Sequence, residues 1–101
     1  MSALGTELKL IISVDEIDGM SMSDYEFSCT FFTYKNRTVV VSKSEMTKVD
    51  NGHYIATLDT LKVGAGNLKM KFEAEIPDSD FSDGFRREVE LVDLGIPIIA
   101  V

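Results

Sequence analysis

The chain has 101 residues, 45% of them hydrophobic and 27% charged, which is enough for a single domain (1–101) with one core and too apolar for a disordered segment. Ten basic residues against seventeen acidic ones leave a net charge of −7; such a surface repels phosphate backbones and argues against nucleic acid as a partner. No apolar run approaches the roughly 20 residues of a membrane span, and the single cysteine, Cys29, excludes an internal disulfide.

The opening MSALGTELKL lacks the basic-then-apolar order of a secretory signal, so synthesis in the cytoplasm, with no membrane association, is expected. ELKLIISV (7–14) then alternates. Leu8, Leu10, Ile12 and Val14 share one face, as a half-buried strand requires. Ile11 interrupts the polar face and is a candidate contact residue. DEIDG (15–19) supplies turn residues, and SMSDY (21–25) can form a short helical turn.

YEFSCTFFTY (25–34) predicts a strand with Tyr25, Phe27, Cys29, Phe31 and Thr33 inward. Its other face starts polar and ends in Phe32 and Tyr34, which join Ile11 as candidates for outward display. Cys29 reads as a small buried packing residue. YKNRT (34–38) is a turn, TVVVS (38–42) has the β-branched composition of a strand, and SKSEM (42–46) offers a second short helical turn. VDNGH (49–53) is a hairpin turn before the weakly alternating HYIATLD (53–59). VGAG (63–66) is another turn.

The clearest strand is GNLKMKFEAEIP (66–77). Leu68, Met70, Phe72, Ala74 and Ile76 point one way, and Lys69, Lys71, Glu73 and Glu75 the other. REVELV, around 86–92, sets Val89 and Leu91 opposite Glu88 and Glu90. The last segment, GIPIIAV, is apolar to its end. Pro97 marks it as an interrupted edge or terminal strand, because proline donates no ladder hydrogen bond. Ile96, Ile98, Ile99 and Val101 complete the candidate contact residues. Seven or eight short strands with frequent turns and no helix of normal length predict an all-β antiparallel sandwich.

Between the last strands lies IPDSDFSDGFRREVE (76–90), the most acidic stretch. An EF-hand loop wants acidic or amide ligands at positions one, three and five, glycine at six and glutamate at twelve. Counting from Asp78, the acids fall at one, three and six, Gly84 at seven and Glu88 at eleven. The register fails, and the flanks are strands. The stretch reads as a solvated loop in which Phe81 and Phe85 tuck under the sheet and Arg86 and Arg87 offset the acids. Its acids motivate the alternative function, a carbohydrate- or calcium-dependent extracellular binding module. His53, the only histidine, reads as an exposed turn residue. One histidine and one cysteine fall short of a zinc ligand set, and a Cys29–His53 nucleophile pair would need an exposed thiol. No catalytic, metal or cofactor residue is assigned.

Four stretches in order carry a resemblance: ELKLIISVDEIDGMSMSDYEFSCTFFTY, VDNGHYIATLD, GAGNLKMKFEAEIPDSDFSDGFRREV and GIPI. They resemble a group of small β-sandwich proteins and modules encoded by tailed phages of gut bacteria, including crAss-like phages. In that group an opening strand leads to a MSDY-F segment, and a G-G-L turn precedes a strand ending in IPD-DFPDG-R. Ser82 stands here where that pattern has proline. The resemblance implies an immunoglobulin-like sandwich acting as a non-enzymatic virion structural protein. It would be a capsid auxiliary or decoration protein, or a head-fibre or tail module, made in the host bacterial cytoplasm and carried in the virion. Its partners would be other virion proteins of the capsid, fibre or tail, and a homo-oligomer is compatible with that role.

Overall fold

In the computed structural model, which describes residues 2–33 and 37–100, the period-two segments become eight strands. They are β1 (Ser2–Ala3), β2 (Glu7–Ser13), β3 (Glu26–Phe32), β4 (Thr38–Ser42), β5 (Thr47–Asp50), β6 (His53–Asp59), β7 (Gly66–Pro77) and β8 (Phe85–Ile99). The strands form a five-stranded sheet in the order β1-β8-β7-β3-β4 and a three-stranded sheet in the order β2-β6-β5. Every pairing is antiparallel except β1 with β8, which is parallel. Lettered A, B, C, C′, D, E, F and G in chain order, the eight strands give the immunoglobulin sheets B-E-D and C′-C-F-G, with the short first strand at the edge beside G. The fold is an all-β immunoglobulin-like sandwich.

The expected alternation places the core. Leu68, Met70, Phe72, Ala74 and Ile76 of β7 are buried, as are Tyr25, Phe27, Cys29, Phe31 and Thr33 in and around β3. Tyr54, Ala56 and Leu58 of β6 meet them from the smaller sheet, with Ile12 of β2. Phe27 links the layers, its ring 5.2 Å from Tyr54 and 5.5 Å from Phe72. Lys43 lies over this aromatic group. Its amine donates to the carbonyls of Tyr25 (2.8 Å) and Ser23 (3.1 Å) and sits 5.8 Å from the Phe27 ring centre, a position that suits an ammonium with a buried stem.

Two short helical turns fall where the sequence indicates, Met22–Asp24 and Lys43–Glu45; a third, Thr60–Lys62, had no clear signal. The first two share one device: the Ser21 amide donates to Asp24 (3.0 Å) and the Ser42 amide to Glu45 (3.1 Å). Each carboxylate satisfies an amide that the turn leaves without a partner. Buried Thr60 ties the turn before β7 to the N-terminal segment, its hydroxyl accepting from the Gly5 amide at 2.8 Å.

The C-terminal part differs from expectation. REVELV and the 95–99 part of GIPIIAV belong to one strand of 15 residues, and Pro97 lies inside it, opposite Asn67, without interrupting it. The pieces are joined by a bulge: Leu68 pairs with Ile96 and Lys69 with Asp93, so Leu94 and Gly95 are extra. Gly95 takes φ +66° there, which side chains of L residues resist. A strand of this length spans about 50 Å, and the molecule measures 49 × 28 × 20 Å. The β7–β8 hairpin therefore sets the long axis. No helix among the described residues is long and apolar enough to cross a membrane.

Candidate interaction surfaces

The acidic loop between β7 and β8 is held by its own backbone. Asp78 accepts from the Asp80 amide (3.0 Å), Asp83 from the Phe85 amide (3.1 Å), and the Asp78 amide donates to the Gly84 carbonyl (2.8 Å). These are the local roles aspartate plays in turns. Arg86 takes much of the remaining negative charge, with Asp18 at 2.7 Å, Asp78 at 3.0 Å and Glu88 at 3.0 Å. The hydrogen bond it donates to Asp18 is the main cause that holds the guanidinium's pKa above its ordinary value. Among the described residues no group of three or more His, Cys, Asp or Glu side chains is placed to hold a metal ion. One expectation fails here: Phe81 and Phe85 do not tuck under the sheet but stand about half exposed, at 48% and 46%. Neither ring belongs to the buried core cluster or to the partly buried residues packed against it.

Cys29 is fully buried between Val41 and Phe72 on the neighbouring strands, and burial pushes its thiol up to about 12. A thiolate nucleophile is not formed from such a group near neutral pH. His53 opens β6 in the other sheet, with Nδ1 2.7 Å from Asp50 Oδ1. That contact and the Gly52 amide hold the Asp50 carboxyl below its usual value.

The expected contact residues do not form one patch. Ile11 is 67% exposed on the outer face of β2, opposite Ile55 of β6. Phe32 lies half-buried on the outer face of the larger sheet, paired with Lys69 and Thr38. The two residues therefore occupy opposite sides of the sandwich. Ile98 is core, at 2% exposure, and Ile96 packs against the core, so neither is a free contact residue. Ile99 is exposed. Tyr34 and Val101 lie outside the described residues.

A different surface stands out. On β8, Arg86, Glu88, Glu90 and Val92 pair with Ile76, Ala74, Phe72 and Met70, the buried side chains of β7. The even-numbered residues thus take the core face, and Val89 and Leu91 point outward, with Leu91 71% exposed. Val40 is exposed on the same outer face at the far edge, the cross-strand row running Leu91, Lys71, Thr30, Val40. On the core side an open groove of about 570 Å³ separates the end of β2 from β8. Ile12, Met70, Phe72, Val92 and Leu94 line it, with Asp15, Glu16 and Glu90 among its polar residues. The signal for this arrangement was in the sequence: the even stripe Val92, Leu94, Ile96, Ile98 continues back to Arg86, whereas REVELV read alone favours the odd stripe.

Comparison of the chain with family models, with curated proteins and with solved structures gives no match.

Proposed function

We propose that the chain is a non-enzymatic virion structural protein, a capsid auxiliary or decoration protein or a module of a head fibre or tail, that acts through protein–protein contacts. The observation that carries the contact role is the set of large apolar side chains displayed on regular strands, Ile11, Val40, Val89 and Leu91, each more than half exposed. Side chains fixed on strands form pre-organised contact points, and little ordering entropy opposes their use. The chemistry-bearing side chains are already engaged in the fold: Cys29 in the core, Asp78 and Asp83 in turn hydrogen bonds, Arg86 in ion pairs. The virion setting rests on the motif resemblance from MSDY to IPDSDFSDG. Many copies on a particle would compensate for a small contact area through avidity.

The test is mass spectrometry and antibody labelling of particles purified from the lysate that carries the gene. The protein is expected in fixed stoichiometry with the capsid or tail proteins. Abundant protein in the cleared lysate and none on particles overturns the virion assignment. Heat evolved on calcium titration, or a hit on a glycan array, would support the binding-module alternative instead.

A further inference from the structure

We propose that two copies of this chain pair through the free edge of β8, antiparallel about a two-fold axis at Glu90, so that the five-stranded sheet of one continues into that of the other. The edge is the first reason. β7 takes one side of β8 along its length, from Phe85 to Ile98. β1 takes the other side only at Ile98 and Ile99. From Phe85 to Pro97 that side has no strand partner among the described residues, and a row of unpaired amides and carbonyls is a template for another strand. The stretch Phe85–Asp93 is regular, since the bulge and Pro97 lie beyond it. The charges on its inner face give little protection: Arg86 and Glu88 bond each other, and Arg86 also bonds Asp18 and Asp78 of the same chain.

The side chains select both the partner and the register. A strand that pairs with its own copy about an axis normal to the sheet keeps odd residues opposite odd ones, on the outer face. With the axis at Val89, Val89 would face its own copy, but Arg87 would face Leu91 and Phe85 would face Asp93. With the axis at Leu91, Leu91 would face its own copy, but Val89 would face Asp93 and Arg87 would have no charged partner. With the axis at Glu90, Val89 faces Leu91 twice and Arg87 faces Asp93 twice, all within the regular stretch. Of these three central registers, only the last matches apolar with apolar and positive with negative, the pairings that stabilise neighbouring strands. Asp93 Oδ1 accepts from the Gly95 amide at 2.9 Å, which leaves Oδ2 for the guanidinium. Val89 and Leu91, exposed in the single chain, would cover each other across the axis.

This register also sets Glu90 against its own copy on the inner face, beside the groove. Like charges directly opposite weaken strand pairing. Glu90→Gln is therefore expected to tighten the dimer, whereas under any role of Glu90 confined to one chain it would leave association unchanged.

The dimer forms or fails to form in purified protein, so its test is separate from that of the virion proposal. Light scattering on a sizing column and sedimentation equilibrium of the full chain should give twice 11.2 kDa, with a concentration-dependent return to monomer. Arg87→Asp, at an exposed position, should raise the dissociation constant at least about tenfold, since it sets like charges opposite each other in both pairs. A Glu90→Cys variant should form an intermolecular disulfide under mild oxidation, because its two copies lie directly opposite. Val89→Cys and Leu91→Cys should cross-link when mixed and much less when alone. The native Cys29 is buried and does not compete. Monomer at every concentration up to the solubility limit overturns the proposal. So does a dimer whose affinity Arg87→Asp leaves unchanged, or one in which Val89→Cys alone cross-links as fast as Glu90→Cys.

Discussion

In β7 every second side chain from Leu68 to Ile76 is apolar and buried; in β8, its hairpin partner, Val89 and Leu91 stand in solvent while Arg86, Glu88 and Glu90 occupy the core face. Both strands obey the same pleat and pair residue for residue over most of their length. They differ in what lies over the core face. β7 is central in its sheet, and its inner side chains meet Tyr54, Leu58 and Ile12 in the shared core. β8 lies near the edge, and the core face of its middle, Glu90, Val92 and Leu94, lines an open groove. An alternating pattern reports which residues avoid water. It reports the core only where another layer is present to supply one.

The sharpest way to break this comparison is one substitution made in both strands. Leu68 is fully buried and Leu91 is 71% exposed. Leu68→Ala should cost about 2–5 kcal/mol, since it removes buried methyl groups and leaves a cavity. Leu91→Ala, measured on dilute protein, should change stability by no more than about 0.5 kcal/mol. Urea titrations of the two variants beside the parent chain decide the matter. Similar costs would mean that the outer face of β8 is part of the core after all.

A smaller effect is expected at the bulge that joins the two halves of β8. Gly95 has φ +66°, and a side chain there would meet nothing within 4 Å. Gly95→Ala therefore isolates backbone strain from crowding. It should destabilise by about 1–2 kcal/mol, the cost of holding an L residue in the left-handed region. A neutral outcome by thermal melting would show that the bulge relaxes to another geometry. In that case the register that turns Val89 and Leu91 outward is not fixed.

Much of the fold is legible in the residues themselves. GNLKMKFEAEIP gives the bounds of β7 because its alternation is strict and proline ends it. YEFSCTFFTY gives the inward set of β3 because the apolar stripe is continuous. REVELV and GIPIIAV do not read as one strand, because the two-residue bulge at Leu94–Gly95 is a local backbone choice with no periodic signature. β1 is invisible for another reason: two residues carry no period. The exposure of Ile11 is legible, since an apolar residue on an otherwise polar face has nowhere to hide. That Ile11 and Phe32 lie on opposite sides is not, because parity fixes the face within a strand and not the sheet to which the strand belongs.

Acid should probe the turns before it probes the strands. Glu45 is held below its usual pKa mainly by the Ser42 amide, and Asp50 mainly by His53 and then by the Gly52 amide. A depressed folded pKa contributes stability that is present above the ordinary values of 4.5 and 3.8 and is lost as pH falls through the folded ones. The melting temperature should therefore decline on the acid side of these values. Glu45→Gln with Asp50→Asn should flatten that decline and leave the neutral-pH profile close to the parent's. An unchanged acid limb in the double variant would assign it to other carboxylates.

The smallest effect is expected at Tyr25, where the ring and the hydroxyl have opposite standing. The ring is buried and packs edge-on against Phe27 with centroids 6.0 Å apart, while the hydroxyl is buried with no hydrogen-bond partner among the described residues. Burial raises the phenol's pKa for the same reason: a phenolate there would be poorly solvated. Removing a buried polar atom without a protein partner relieves a desolvation penalty and leaves little unfilled space. Tyr25→Phe should therefore be neutral or stabilising, by up to about 1 kcal/mol, whereas Tyr25→Ala should cost several times that. Chemical denaturation of the pair separates the two parts of the side chain. A clear loss in Tyr25→Phe would mean that the hydroxyl has a partner, such as a buried water bridging it to the backbone, and that the end of the core beneath Lys43 is wetter than its burial suggests.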